Sequence, residues 1–308
     1  MAVLLKGTTF SSGQSVDHTD MNNIIDTATL NPSESTGIIG SQTAEASIAG
    51  DDFVLIQDVS GSDILRKATV ANLIGGLGII QTSDNTAVGS EALDSLTSGV
   101  NNTAVGRQSL TAATTSSNNV AVGHQSAYNT TSAADDNVFI GYQAAFSNGN
   151  GDDSVIIGSG AGKESALFDK CVAIGKGAMQ ETGVLMSQNV AIGWEALKNA
   201  ESGSGDEGNN NVAVGTSALA TNTTGSASTA VGYGALTSQT TPGVNSAFGT
   251  FAGTALTTAT DNTLVGYQAG VSNLTGEDNT FIGDNAGYYV TAAQNTALGS
   301  GANTASGA

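Results

Sequence analysis

One glycine recurs at almost constant spacing from residue 89 to residue 299, and this periodicity constrains the fold more than any other feature of the chain. The aligned positions are Gly89, Gly106, Gly123, Gly141, Gly158, Gly175, Gly193, Gly215, Gly232, Gly249, Gly266, Gly283 and Gly299, separated by 17, 17, 18, 17, 17, 18, 22, 17, 17, 17, 17 and 16 residues. Around each glycine the pattern is Asn-Thr/Val-Ala-Val/Ile-Gly-x-x-Ala-Leu/Gly, as in Asn85-Thr86-Ala87-Val88-Gly89 followed by Ala92-Leu93. The residue before the glycine is always apolar. Three residues after it stands Ala in eleven units and Ser in two, Ser109 and Ser126. Four residues before it ten of the thirteen units have Asn, the exceptions being Ser154, Cys171 and Ser228.

These are strand rules: β-branched residues alternate with Ala over four or five positions, and Gly and polar residues break the run. A 17-residue unit holds two short strands and two turns, so each unit reads as one coil of a solenoid. Gly at the corner allows a backbone angle closed to other residues. Asn at one place in successive coils predicts a ladder in which each side-chain amide bonds to those above and below. Stacked at the strand spacing, thirteen coils predict a rod roughly 60 Å long.

Composition agrees. The chain has 41 Gly, 2 Pro, 1 Trp and only 11% charged residues, which suits closely spaced coils better than a thick core. With 8 Lys and Arg against 27 Asp and Glu the net charge is −19, which argues against nucleic acid and anionic membrane as ligands, since both need a cationic surface. A single Cys, Cys171, excludes an intrachain disulfide. Met1 to Phe10 lacks the long apolar region of a signal peptide, and no run of 18 apolar residues predicts a membrane span.

The strand faces bear on assembly. In Asn119-Val120-Ala121-Val122-Gly123 the two valines point one way and Ala121 the other, so both faces are apolar. One face lines the coil's interior. The other needs a second surface, for which a copy of the same chain is the expected partner. The bulkier Phe139, Ile156, Leu264 and Phe281 at the Ala position suggest that this contact widens at certain levels, and a charge at Ala121 or Ala213 is expected to impair assembly more than one at His124.

Residues 1–80 follow other rules. Met21, Ile24, Ile25 and Ala28 fall at helical spacing after Asp17 to Asp20, predicting a short amphipathic helix. Asn31 to Gly50 reads as a linker. Asp52 to Asp58, a turn at Ser60-Gly61-Ser62 and Ile64 to Ala68 predict a β-hairpin, and Thr69 caps a last short helix through Leu73 and Ile74 before the neck Gly75 to Gly78.

The units Asn-Thr-Ala-Val-Gly, Asn-Val-Ala-Val-Gly and Asn-Val-Ala-Ile-Gly resemble the head repeats of trimeric autotransporter (YadA-like) adhesins, which also occur in bacteriophage tail fibres. Phe10 to Val16 leading into Met21 to Asp26 resembles the virion-attachment region of tail fibres, and Asp52 to Asp58 with Leu65 to Leu73 is similar to a module of phage fibres and tailspikes. The resemblance implies an all-β fold: a left-handed parallel β-roll solenoid of about 13 coils, trimeric, with a small mixed α/β N-terminal attachment region. The divisions are residues 1–50, a virion-attachment segment with short helix and linker; 51–80, a hairpin/helix module and neck; and 81–308, the β-roll. The implied role is a structural subunit of a phage tail fibre located in the virion. Its partners would be two further copies, baseplate or tail proteins, a distal fibre-tip protein and a host receptor. The alternatives are the head of a bacterial surface adhesin and an envelope-polysaccharide depolymerase.

The residues do not assemble a catalytic, cofactor or metal site, so the expectation is a protein that is not an enzyme. Gly158-Ser159-Gly160-Ala161-Gly162-Lys163 imitates a phosphate-binding loop, but Ile157 replaces the first glycine and Glu164 the magnesium-binding hydroxyl. His18, His124 and Cys171 lack the neighbours that a zinc site or a nucleophile pair requires. Acidic loops at Asp135-Asp136-Asn137, Asn150 to Asp153, Gly205 to Glu207 and Glu277 to Asn279 offer oxygen ligands of the kind calcium takes, without the EF-hand spacing. The outward aromatics Tyr142, Trp194, Tyr233 and Tyr267 fit sugar contact. The long segment from Lys198 to Asn210 is a candidate recognition loop.

Overall fold

The computed structural model describes strand residues 53–57, 65–69 and 79–82 and, from residue 84 to residue 303, all but 132–133, 165–167, 182–185, 201–207 and 242. The helix expected near Met21 to Ala28, the linker, the Ser60 to Ser62 turn and the Gly75 to Gly78 neck lie outside these residues. The chain divides into two units, Met1–Leu77 and Gly78–Ala308. In the first, β1 (Phe53–Gln57) pairs antiparallel with β2 (Leu65–Thr69), with Val54 opposite Ala68 and Ile56 opposite Arg66. Thr69, read from the sequence as a helix cap, instead closes β2 opposite Phe53.

The second unit is a parallel β-solenoid, and no helix occurs among the described residues. Its sheet has fourteen strands. The first, β3 (Ile79–Thr82), runs antiparallel to β4 (Asn85–Val88) and covers the edge of the first coil. The other twelve follow in parallel, from Thr103–Val105 to Thr296–Leu298, one per glycine repeat. Each strand pairs with the next in strict register, as Ala121 with Phe139 and Val122 with Ile140. The 22-residue unit keeps this register, Ile192 pairing with Val214.

The second strand expected in each coil is for the most part a series of tight turns; a short pair, Phe168–Asp169 with Met186–Ser187, is the exception. Left-handed residues at fixed offsets make these turns: five before the glycine (Asn118, φ 60), two after it (Gln108, φ 59) and four after it (Leu110, φ 50). Each such residue costs about 1–2 kcal/mol in isolation. Stacking offsets the cost, because their N–H groups donate to neighbouring coils: Asn118 to Val100 O (3.0 Å), Gln108 to Ser90 O (2.9 Å) and Leu110 to Ser126 O (3.0 Å). The corner glycines have φ between 113 and 143. They are also stacked so closely that a Cβ on Gly89 would meet Gly106 C and O at 2.7 Å.

The Ala face of the strand lines the coil's own interior; Ala104, Ala121 and Ala213 are fully buried. This corrects the expectation that the Ala face is the contact between chains; a charge at Ala121 or Ala213 would fall inside the coil itself. The bulky residues at this position do not widen a contact between chains either. They fill the same narrow interior against the residue four places after the glycine, and in most coils the two sizes compensate. Ala104 is matched by Leu110, Ala173 by Met179 and Ala230 by Leu236, whereas Ile156 is matched by Gly162, Leu264 by Gly270 and Phe281 by Gly287, all buried. A Cβ on Gly270 would come within 2.9 Å of Leu264 Cδ2. Ala121 with Ala127 and Ala247 with Gly253 are small at both positions, so the exchange of sizes holds in most coils and not in all.

The asparagine ladder is present, with a different bonding from that expected. The side-chain oxygen of one coil mainly accepts the backbone N–H of the next Asn, as Asn102 Oδ1 from Asn119 N (3.0 Å) and Asn119 Oδ1 from Asn137 N (3.0 Å). The amide nitrogen donates to a loop carbonyl, as Asn119 Nδ2 to Ala134 O (2.7 Å) and Asn211 Nδ2 to Gly225 O (2.8 Å). Direct amide-to-amide bonds occur at some steps, among them Asn262 Nδ2 to Asn245 Oδ1 (3.1 Å). Ser154 keeps the chain unbroken by accepting from Cys171 N (3.0 Å).

Candidate functional site

Two surfaces follow from this stacking. The strand residues on either side of the buried position point away from the coil, and those just before the glycine form a stripe of Val, Ile, Phe and Leu along all thirteen strands. Ile140, Ile192, Phe248 and Leu298 on this stripe are exposed. At the middle coils the partner position is apolar as well, as in Val120, Val155, Val172 and Val190; beyond Thr229 it becomes Ser or Thr.

The second surface starts directly after the corner glycine. Its backbone continues the ladder: Trp194 O accepts from Ser217 N (2.9 Å), Thr216 O from Gly234 N (3.0 Å), Tyr233 O from Phe251 N (2.8 Å), Thr250 O from Gln268 N (2.9 Å) and Tyr267 O from Asn285 N (2.8 Å). Side chains at this position therefore form a column spaced by one coil. Tyr142, Trp194, Tyr233 and Tyr267 stand on it, each about half exposed (52%, 50%, 52% and 48%). The ring of Tyr233 is buttressed edge-to-face by Phe251, with centroids 5.0 Å apart at 85°. Gly234 makes room for that contact, since a Cβ there would lie 2.9 Å from Phe251 Cδ1. Lower in the column Arg107 Nη2 donates to His124 Nε2 (3.2 Å), and His124 packs beside Tyr142 with centroids 5.6 Å apart. His124 is thus one member of a surface column; His18 lies outside the described residues.

A further column stands two places after the glycine, where the sequence signals it only by repeated Gln. Gln108 Nε2 donates to Glu91 Oε2 (2.6 Å), Gln125 Nε2 to Gln108 Oε1 (3.0 Å) and Gln143 Nε2 to Gln125 Oε1 (2.9 Å).

Two carboxylates of the acidic loops are bonded to backbone amides. Asp135 Oδ1 accepts Ser117 N (2.7 Å) and Asp152 Oδ1 accepts Asp135 N (2.8 Å). Ser117 Oγ accepts Val100 N (3.2 Å), and Asn209 Oδ1 accepts Ser187 N (2.9 Å). These side chains form a second ladder that runs opposite to the asparagine ladder, since here the acceptor belongs to the following coil. Among the described residues no three His, Cys, Asp or Glu are grouped to hold a metal ion. Gly205 to Glu207 lies outside the described residues, as does most of the segment between Lys198 and Asn210.

The loop from Gly158 to Lys163 is the corner and first turn of an ordinary coil. Gly160 N donates to Tyr142 O (2.9 Å), Ala161 N to Gly158 O (3.2 Å) and Gly162 N to Ala178 O (2.9 Å). Amides engaged this way form no phosphate cradle. Cys171 is buried in the asparagine slot, and burial pushes its thiol up to about 11, away from nucleophilic use at neutral pH.

Together these features define a repeat protein of the parallel β-solenoid class, with an apolar strand face and an aromatic column among its exposed surfaces. Comparison with protein-family models, curated proteins and solved structures finds no match to the chain.

Proposed function

We propose that the chain is the structural subunit of a phage tail fibre: a homotrimeric rod, joined to the virion through its N-terminal residues, that serves host adhesion without cleaving its target. The observation that carries this reading is the outward strand stripe. An apolar surface that continues over every coil, with Ile140 and Phe248 still 37% and 43% exposed, is of the kind that marks a protein interface. Three copies set around one axis would bury it along the full length of the ladder. The resemblance of Phe10 to Asp26 to virion-attachment segments supports the role given to the N-terminus. The net charge of −19 supports a rod that stays dispersed rather than bundling.

Sedimentation equilibrium of the intact chain tests the proposal. A trimer is expected, with dissociation on Val214→Asp or Ile192→Asp while the far-ultraviolet β signal persists. A monodisperse wild-type monomer would refute it. Release of sugar or acyl groups from host envelope by the purified protein would refute the non-catalytic part.

A further inference from the structure

Aromatic residues in the column after the corner glycine are not scattered. From Trp194 onward the successive coils carry Trp194, Thr216, Tyr233, Thr250 and Tyr267, a ring in every second coil with a threonine between. The ladder bonds from Ser217, Gly234, Phe251, Gln268 and Asn285 hold these five positions in unbroken succession. With coils stacked at the strand spacing, the rings stand about 10 Å apart. All three are about half exposed, and Tyr233 is held by its contact with Phe251.

We infer that Trp194, Tyr233 and Tyr267 form a linear binding site for an extended, uncharged β-1,4-linked glycan, one ring to each disaccharide. In such a chain every sugar is turned over relative to the one before it. The same apolar face therefore returns once per disaccharide, a length that matches the separation of the rings. Aromatic faces bind the C–H face of a sugar ring, and the Thr216 and Thr250 hydroxyls are set to hydrogen-bond the sugar between. An α-1,4-linked chain coils and loses register after the first ring. A polyanionic glycan is disfavoured by a surface carrying a net charge of −19. The inference deepens the adhesion role proposed above and rests on it for the source of the glycan, a host surface.

Trp194 is the single tryptophan of the chain, so its fluorescence reports binding directly. The intact protein is titrated with cellohexaose and chitohexaose, each three disaccharides long, and with maltohexaose. Saturable quenching or blue shift is expected with at least one β-1,4 hexamer and none with maltohexaose. Tyr233→Ala and Tyr267→Ala should each weaken binding about tenfold, the loss of one stacked ring. Tyr289→Ala, equally exposed but six places after its glycine and so off this column, should leave affinity unchanged. Failure of both β-1,4 hexamers to bind overturns the inference, as does equal binding of maltohexaose or wild-type affinity in both tyrosine variants. Sedimentation of the same samples reads assembly separately: a trimer that ignores the hexamers removes the glycan site alone, and a monomer that binds them removes the trimer alone.

Discussion

Gly287 lies against the ring of Phe281, so close that a Cβ at 287 would stand 2.5 Å from Phe281 Cδ2. The pair shows how the solenoid tolerates an interior residue as large as phenylalanine: the turn opposite gives up its side chain. The reverse arrangement, Ala230 with Leu236, fills another coil of the same ladder, and Leu236 shares the left-handed conformation of Gly287 (φ 50 against φ 64). Phe281→Ala should cost about 3–5 kcal/mol through the cavity it leaves. Adding Gly287→Leu should restore a large part of that loss in chemical denaturation, because the double variant reproduces a combination the fold already uses. Simple additivity of the two single changes would show that the sizes are not coupled.

The glycines divide into two mechanical classes. Gly141 has φ 138, and a Cβ there would meet Gly158 O at 2.5 Å and Gly158 C at 2.7 Å, backbone atoms that cannot turn aside. Gly160 has φ 66 with nothing within 4 Å of its missing side chain. Gly141→Ala should therefore prevent stacking of its coil and abolish soluble expression or cooperative melting. Gly160→Ala should cost only about 1 kcal/mol, the price of a left-handed alanine. Equal thermal stability of the two variants would contradict the close approach of the corners.

Removing one rung of the asparagine ladder leaves two buried groups without partners. Asn119→Ala orphans the N–H of Asn137 and the carbonyl of Ala134, now bonded at 3.0 Å and 2.7 Å. A loss of about 2–5 kcal/mol is expected. Asn119→Ser should lose less, since a hydroxyl retains the acceptor role that Ser154 plays toward Cys171 N at 3.0 Å. Urea unfolding of the three proteins orders them, wild type above Ser above Ala.

Cys171 gives the solenoid a defined alkaline weakness. Burial raises its thiol from the ordinary 9.0 to about 11, so the unfolded chain ionises first as pH rises. The stabilisation is whole below pH about 9 and declines until the folded thiol also ionises near 11, a total of about 3 kcal/mol. Cys171→Ser, which places a residue already used at Ser154 and Ser228, should flatten this decline. Urea midpoints at pH 8 and pH 10.5 compare the two proteins; parallel losses would show that the thiol is not responsible.

Much of the solenoid is legible in the sequence. The glycine spacing marks one coil per repeat because only a close-stacked corner excludes every side chain at the same place thirteen times, and the stacking of Gly89 on Gly106 is that exclusion. The asparagine at a constant offset announces a buried polar ladder, since an amide that recurs inside an apolar pattern needs a partner at every level. The exposed column after the glycine was legible too, because Tyr142, Trp194, Tyr233 and Tyr267 break an otherwise polar position.

Other features depend on which way a residue faces in three dimensions. A strand such as Val120-Ala121-Val122, apolar on both sides, does not reveal by itself which side is interior; the turn opposite decides it, because Leu110 or Gly287 must meet the residue across the coil. The acidic loops read as possible ion ligands, and only the register of Asp135 under Ser117 shows a carboxylate bonded to a backbone N–H. The expected second strand became turns because Leu110 and its equivalents take left-handed angles that intrinsic preference argues against and neighbouring coils reward. Local chemistry thus determined the repeat and its corner. Contacts between residues a full coil apart in sequence decided the facing of the strand and the use of its polar groups, since these energies exist only once one coil lies on the next.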